Sequence, residues 1–370
     1  MATFAADRPP AIARYKESVP GLRVAIVGYG LSGRYFHAPL IAATPGLSVA
    51  AVVTSDQGRR HAAEAEHPGV RVVAGLAEAL DDNPDLVVVA APNSAHVEVA
   101  RAAIDRGIPV VVDKPLASTA AEAQALVDHA RLASVPISVF HNRRWDTDQL
   151  TLRRLLADGV IGTVNRYESR FERWRPAPSP DRWREALSSE RGGGVLLDLG
   201  THLVDQAAAL FGQPSEVYAE VSSRRGTPGD DDVFIALRHP GGTISHLWAS
   251  AVAAVPGPRL RVQGSEAGFL VAGLDPQEDA LRDGRRPSDP DWGRPAESEY
   301  PHLVGDDRRQ VVIPEPGDWP RFYVLLRDAL TADGPLPVEP EEAIKVLRIL
   351  EAARLSARDG IVVPLDPEPS

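Results

Sequence analysis

The chain has 370 residues, 44% of them hydrophobic and 25% charged, and 40 Lys+Arg against 51 Asp+Glu give a formal net charge of −11. That length suits two domains with sizeable cores, the composition is that of an ordinary globular protein, and the acidic balance argues against a nucleic-acid partner, which would need a basic footprint. There is no cysteine, which excludes disulfides, thiolate metal sites and cysteine nucleophiles. Residues 1–20, MATFAADRPPAIARYKESVP, contain no apolar stretch of secretory-signal type and read as an N-terminal extension. No later run approaches membrane-spanning length, so the expected location is cytoplasmic, with no membrane partner.

The first element is the apolar run Val24-Ala25-Ile26-Val27, which leads into Gly28-Tyr29-Gly30-Leu31-Ser32-Gly33. It reads as a buried parallel strand feeding a glycine-rich turn at a helix start, a turn that can hold a dinucleotide pyrophosphate. Gly28 would make the tight turn, Gly30 would let the backbone approach the phosphates, and Gly33 would let helix and strand pack closely. Leu31 and Ser32 lie in the same turn, where backbone N–H groups meet the negative charge. A lone GxGxxG also occurs by chance; the preceding strand and the regular strands that follow give it context.

A helix is expected from Arg34 to Ala43, a second strand over Leu47–Val53, a helix from Arg59 to Glu66 and a short strand over Val70–Val73. An acidic residue at the end of the second strand would grip a ribose 2′-OH. Here the strand ends Val53-Thr54-Ser55-Asp56, with Arg59 and Arg60 beyond. Hydroxyls and guanidinium groups suit a 2′-phosphate, so NADP is expected rather than NAD. In the competing reading Asp56 does the gripping and both arginines are solvated.

Leu86–Ala90 is a fourth, wholly apolar strand, followed by Ala91-Pro92-Asn93-Ser94-Ala95-His96 and a helix over Ser94–Arg106. Ligands bind outside the carboxyl ends of parallel strands, which places Pro92 and Asn93 at the cofactor; His96 either joins them or satisfies the following helix. Val110–Val112 is the fifth strand, and Asp113-Lys114-Pro115 follows it. A lysine there would point into the cleft and stabilise a developing alkoxide, unless it is an ordinary surface lysine. A helix over Thr119–Leu132 and a strand over Ile137–Phe140 complete an alternation that implies a parallel sheet covered on both faces.

After about Asn142 the strands become longer and mixed, over Val164–Arg173, Ser215–Ser223, Val233–Arg238, Thr243–Ala249 and Leu260–Gln263, as in an antiparallel sheet with one less buried face. Arg170, Arg173, Trp174 and Arg175 are candidates for a polar substrate pocket. Residues 275–310 read as a long loop, and residues 341–359 as a core helix stopped by Gly360. Asp198, His202 and Asp205 fall at i, i+4 and i+7, so on a helix they share one face. His202 can carry the proton of a substrate hydroxyl. The triplet also has ligand-like spacing for a metal, or could be a structural network behind Gly192-Gly193-Gly194.

Taken together, the segments GYGLSGRYFHAPLI (28–41 with its glycines), APNSAH (91–96), DKP (113–115), HNRRWD (141–146) and GGGVLLDLGTHLVDQ (192–206) resemble the Gfo/Idh/MocA family of nicotinamide oxidoreductases. FHAPLI, HNRRWD, DRWRE (181–185) and QEDALRDGRRPSDPDWG (277–293) are similar to its NADP-dependent scyllo-inositol 2-dehydrogenase-like members. The family more often has EKP, so Asp113 is a small departure. The resemblance implies a Rossmann doubly wound parallel sheet over 21–140 and an α+β domain over 141–370 with an open, mostly antiparallel sheet. It implies Lys114 as the catalytic lysine, His202 as the acid/base residue and Asp198 as the partner of His202, with no metal. Asn142, Arg143, Trp183 and Arg184 are then placed on the cofactor side, with Lys114 and Pro115. The implied substrate is a small polyol or sugar whose secondary alcohol is oxidised, and the implied assembly a homodimer or homotetramer through the second sheet. The alternatives are a dehydrogenase of another sugar or ketone, a metal-dependent enzyme, or a sensor that binds the cofactor without turnover; retention of both Lys114 and His202 speaks against the last.

Overall fold

The computed structural model describes residues 21–179, 183–189, 192–305, 308–332 and 334–365. The first half builds a parallel sheet of six strands, β1 (Leu22–Val27), β2 (Leu47–Val53), β3 (Arg71–Val73), β4 (Leu86–Val89), β5 (Val110–Asp113) and β6 (Ile137–Phe140), in the order β3-β2-β1-β4-β5-β6. Every neighbouring pair is parallel. Unbroken apolar runs suit such a sheet because helices cover both faces: all four residues of β4 are buried. Those helices are α1 (Ala38–Ala43), α2 (Gln57–Glu66), α3 (Leu76–Asp81), α4 (His96–Ile104) and α5 (Ala120–Leu132). Thr119 caps α5 in a capping box with Glu122, as a Thr three residues before a Glu favours. The strand order reverses between β1 and β4, so a crevice opens beyond their carboxyl ends, where such sheets bind ligands.

The helix expected from Arg34 begins instead as a π-turn over Gly33–His37, which passes into α1. Helix α4 likewise starts at His96, after a 3-10 turn over Asn93–Ala95.

The second half forms a nine-stranded sheet. Its strands are β7 (Val164–Glu172), β8 (Glu216–Ser222), β9 (Asp232–Arg238), β10 (Ile244–Ser250), β11 (Leu260–Gly264), β12 (Gly268–Val271), β13 (His302–Gly305), β14 (Arg308–Val311) and β15 (Val363–Pro364). They lie in the order β14-β13-β12-β11-β7-β10-β9-β8-β15. All pairings are antiparallel except β7 with β10. The helices of this half are α6 (Thr147–Ala157), α7 (Trp183–Ala186), α8 (Thr201–Phe211), α9 (Gln277–Arg282), α10 (Pro320–Ala332) and α11 (Pro340–Asp359).

Residues 275–310 are not one long loop. They carry α9, β13 and the start of β14. Helix α9 is only six residues long, too short for a periodic signal, with acids in its first turn and Arg282 in its last to match the helix dipole. Tertiary bonds fix it: Gln277 donates to the Trp145 carbonyl and its side-chain oxygen accepts from the Trp319 N–H at 2.7 Å.

Helix α11 ends at Gly360 in the left-handed region (φ 67°), and Ala343, Val346, Leu347, Leu350 and Ala353 form its buried stripe. It packs on α5 and β6 of the first half and on α8 and β8 of the second. Glu351 accepts the Ala120 N–H at 2.7 Å, and Ser138 donates to the Val338 carbonyl at 2.7 Å. No helix among the described residues is long and apolar enough to cross a membrane.

Candidate active site

The glycine turn has the geometry of a phosphate cradle. Gly28 sits at φ +97°, and a Cβ there would lie 2.6 Å from the Ala90 carbonyl oxygen. A Cβ at Gly33 would overlap the Gly28 carbonyl, so the helix can approach the strand only through glycine. Gly30 differs: among the described residues the only atoms near its missing Cβ belong to the Arg59 guanidinium, with Nη1 at 3.9 Å. The turn is therefore open toward a ligand on that side. Leu31 is 40% exposed at its rim, and the Ser32 hydroxyl is buried with no hydrogen-bond partner among the described residues. An unmatched hydroxyl at a helix N-terminus beside an open glycine fits a bound phosphate oxygen.

At the end of β2, the Thr54 hydroxyl accepts the Asp56 N–H at 3.3 Å, and Ser55 is exposed. The Asp56 carboxylate accepts the Arg59 N–H at 2.8 Å and so serves as the N-cap of α2. Arg60 turns back to the Val72 carbonyl at 2.9 Å, whereas the Arg59 side chain reaches over Gly30.

Lys114 emerges directly from β5. Its Nζ donates to Asp198 twice, to Oδ1 at 2.7 Å and to the main-chain carbonyl at 2.7 Å. Asp198 lies in a π-turn over Leu196–Gly200 that leads into α8, where His202 sits in the first turn. The wider turn changes the side-chain registry expected of a regular helix. Asp198 is thus a partner of Lys114. The His202 Nδ1 is buried and makes no hydrogen bond among the described residues. Burial first, and after it the charges of Lys114, Arg143, His141 and Arg259, hold the imidazole well below its ordinary pKa of 6.5. His202 is therefore neutral near pH 7, with the Lys114 charge the largest of the neighbouring ones acting on it. Lys114 of the first half is thus bonded to Asp198 of the second, four residues before His202. The Phe171 ring meets His202 edge-on, centroids 6.3 Å apart.

Asp205 does not join this pair. Arg144 grips it with Nε at 2.9 Å and Nη2 at 2.6 Å and also reaches Glu342 on α11 at 3.0 Å. Among the described residues no group of three His, Asp or Glu is arranged to hold a metal, and the carboxylate that would have completed the triplet is occupied by a guanidinium.

The remaining expected residues fall into two groups. Asn93 is buried at the end of β4 and donates to the Gly192 carbonyl at 3.3 Å, linking the two halves; Pro92 beside it is exposed. His96 turns both ring nitrogens to carbonyls, Nδ1 to Pro115 at 2.8 Å and Nε2 to Ala91 at 3.0 Å, so it braces the loop that carries Lys114. Asn142 is buried after β6. The Arg143 guanidinium pairs with Glu278 at 2.7 Å and lies over the Phe171 ring, 4.9 Å from its centroid. Trp183 and Arg184 open helix α7, but their side chains lie outside the described residues. Arg170 does not line the site. It pairs with Glu168 at 2.7 Å and stacks 3.8 Å from the Trp248 ring centroid. Because strand side chains alternate, it occupies the opposite face of β7 from Phe171 and hence from His202.

The oxidoreductase-family NAD-binding Rossmann fold matches residues 22–141, and the family's C-terminal alpha/beta domain matches residues 153–365. The chain is 39% identical over 341 residues to YdgJ, an uncharacterised oxidoreductase of Escherichia coli K12, covering 91% of this chain and 96% of that protein. It is 35% identical over 356 residues to the scyllo-inositol 2-dehydrogenase (NADP(+)) IolW of Bacillus subtilis, covering 95% and 98%. The solved structure of yvaA from Bacillus subtilis superposes with a TM-score of 0.89 at 34% identity, covering 95% of this chain and all of that one (100%). With both family domains matched in order, over residues 22–141 and 153–365, the chain belongs to the Gfo/Idh/MocA oxidoreductase family.

Proposed function

We propose that the protein is an NADP-dependent dehydrogenase that interconverts a secondary alcohol and a ketone on a polyol of the inositol type. The geometry that supports this reading is the Lys114 Nζ, held at 2.7 Å by Asp198, four residues before the buried His202, whose Nδ1 has no hydrogen-bond partner among the described residues. A nicotinamide dinucleotide held by Gly28, Gly30, Leu31, Ser32, Gly33, Pro92, Asn93, Pro115 and Asn142 supplies the two-electron redox chemistry. The protein's own groups handle the oxygen and its proton. His202 takes the hydroxyl proton as the alcohol is oxidised and returns it when the ketone is reduced. The Lys114 ammonium donates to the same oxygen and stabilises its growing negative charge. Asp198 keeps Nζ aimed, because two acceptors fix the direction of the ammonium.

The preference for NADP is supported by three observations at the end of β2. The Asp56 carboxylate is engaged as a cap, Thr54 and Ser55 offer hydroxyls, and the Arg59 guanidinium reaches over Gly30 while Arg60 faces Glu64. The inositol-type substrate is supported by the name of one relative, IolW. A panel of inositol isomers and sugars with NADP⁺ and NAD⁺, read at the absorbance of the reduced cofactor, tests both. Turnover of an inositol with NADP⁺ is expected; turnover confined to other sugars would move the substrate, and none at all with any polyol would remove the reading.

Arg59→Ala is expected to weaken NADPH binding about 10–100-fold, the worth of a charge-assisted hydrogen bond of roughly 1.5–3 kcal/mol. NADH, which lacks the 2′-phosphate, should bind as to the unaltered protein. Fluorescence titration with both cofactors checks this, and an equal loss for both would remove Arg59 from phosphate recognition.

A further inference from the structure

We propose that Asp230 is a positioning residue for the Lys114–His202 pair, acting with Asn93 as a clamp on Gly192–Gly194 that fixes where the turn bearing Asp198 and His202 begins. The inference rests on the catalytic reading given above. Asp230 lies between β8 and β9, far in sequence from the turn, and is 6% exposed. Its main-chain carbonyl accepts the Val195 N–H at 2.9 Å, and Oδ1 accepts the Leu196 N–H at 2.6 Å. Oδ2 accepts the Ser189 hydroxyl at 2.8 Å and has the Arg354 guanidinium 3.7 Å away. Val195 and Leu196 are the first residues of the turn, whose N–H groups have no partner within the helix itself. A side chain next in sequence normally supplies that cap. Here the N-cap residue, Val195, makes no side-chain cap bond; the remote carboxylate supplies it instead.

The glycines make this possible. Gly194 sits at φ +89°, and a Cβ there would collide with the Asp230 carboxylate. On the other side Gly192, at φ +85°, has the Asn93 side chain 3.6 Å from where its Cβ would be, and its carbonyl takes the Asn93 amide. One jaw thus comes from the end of β4 in the nucleotide-binding half and the other from the second sheet. Leu196 is two residues before Asp198 and six before His202, so the clamp sets the placement of both. The Asp230 oxygens are taken by the turn and Ser189, while Lys114 is held by Asp198; Asp230 acts on the reacting pair only through the turn. A misplacement of roughly 1 Å at a reacting group costs about 100-fold in rate.

The test uses the full chain carrying Asp230→Ala and Asp230→Asn. Asparagine keeps an oxygen for the Leu196 N–H, so Asp230→Asn should retain kcat within about 3-fold, while Asp230→Ala should lose about 10–100-fold in kcat with the KM for the cofactor little changed. A second readout needs no turnover: the His202 ring titration, followed by NMR. It should move up toward 6.5 in Asp230→Ala, where the loosened turn lets water reach the ring, and stay low in Asp230→Asn. An unmoved titration in Asp230→Ala, or equal movement in both variants, overturns the clamp. Loss of all turnover in the unaltered protein would instead overturn the catalytic reading and leave the titration to judge the clamp. If Asp230→Ala does not fold, Gly194→Ala presses on the same carboxylate and should raise the His202 titration; no movement there overturns the proposal equally.

Discussion

Lys114→Ala lowers kcat about 1000-fold while NADPH still binds: this is the expected result, because a single preorganised donor at a developing oxyanion is worth about 100–1000-fold in rate. The upper end applies here because the ammonium has little freedom to lose. Its two bonds to Asp198 already fix its direction, and its side chain is only 11% exposed. The pyrophosphate cradle lies at the end of β1 and owes nothing to Lys114, so cofactor affinity should change little. The variant has a second signature. Lys114 is the largest of the charges that depress the His202 pKa, so its loss should raise that pKa toward 6.5 and move the acid limb of any residual activity up in pH. Steady-state rates across pH, with a parallel NADPH fluorescence titration, check both parts. Turnover within about 3-fold of the unaltered enzyme would remove Lys114 from the chemistry.

His202→Ala is expected to cost between about 100-fold and 10,000-fold in oxidation rate, the usual contribution of a positioned general base. The direction of its pH dependence follows from the site. A base must be neutral to accept a proton, and burial, with the charges of Lys114, Arg143 and Arg259, favours the neutral ring. Oxidation should therefore stay flat as pH falls from 8 through 6.5 and decline only below, as the ring finally charges. In His202→Ala that limb should disappear along with most of the rate. The same depression has a stability sign: the unfolded chain takes up the proton first, so this histidine makes folding less favourable as pH falls below 6.5. His37 adds to that trend, since burial pushes its ring down to about 4. A rate profile for the unaltered protein that already falls between pH 8 and 7 would contradict the neutral-base role.

Much of this architecture was legible because the signals were local. The strand Leu86–Val89 falls where a continuous apolar run places it, since a strand buried on both faces needs no alternation, and Leu47–Val53 and Ile137–Phe140 fall where expected. Helix α11 announced itself through a long stripe and a closing glycine. Lys114 and His202 were legible as candidates because each follows a recognisable segment. What the sequence hid were contacts between distant segments. The Lys114–Asp198 bond spans 84 residues and the Leu196–Asp230 bond 34, and no spacing rule reaches that far. At Asp198 a π-turn, not the α-turn that the i, i+4, i+7 spacing assumes, places the residue. Asp205 looked like a ligand and proved to anchor Arg144, whose own signal was only a charge in a short motif. Helix α9 was missed for the opposite reason: it is too short to be periodic and is fixed by Gln277 and Trp319 from elsewhere.

Because α11 lies against β6 and α5 on one side and β8 on the other, the two halves are joined by a common wall and not merely by a linker. A fragment ending near residue 141 would bare the Ala120 amide that Glu351 now accepts and the Ser138 hydroxyl that now donates to Val338. It would also uncover apolar surface at roughly 25 cal/mol for each Å² exposed. Residues 338–359 thus complete a half made well before them in the chain. The nucleotide-binding half gains its last wall only when α11 has been made and has docked on α5 and β6.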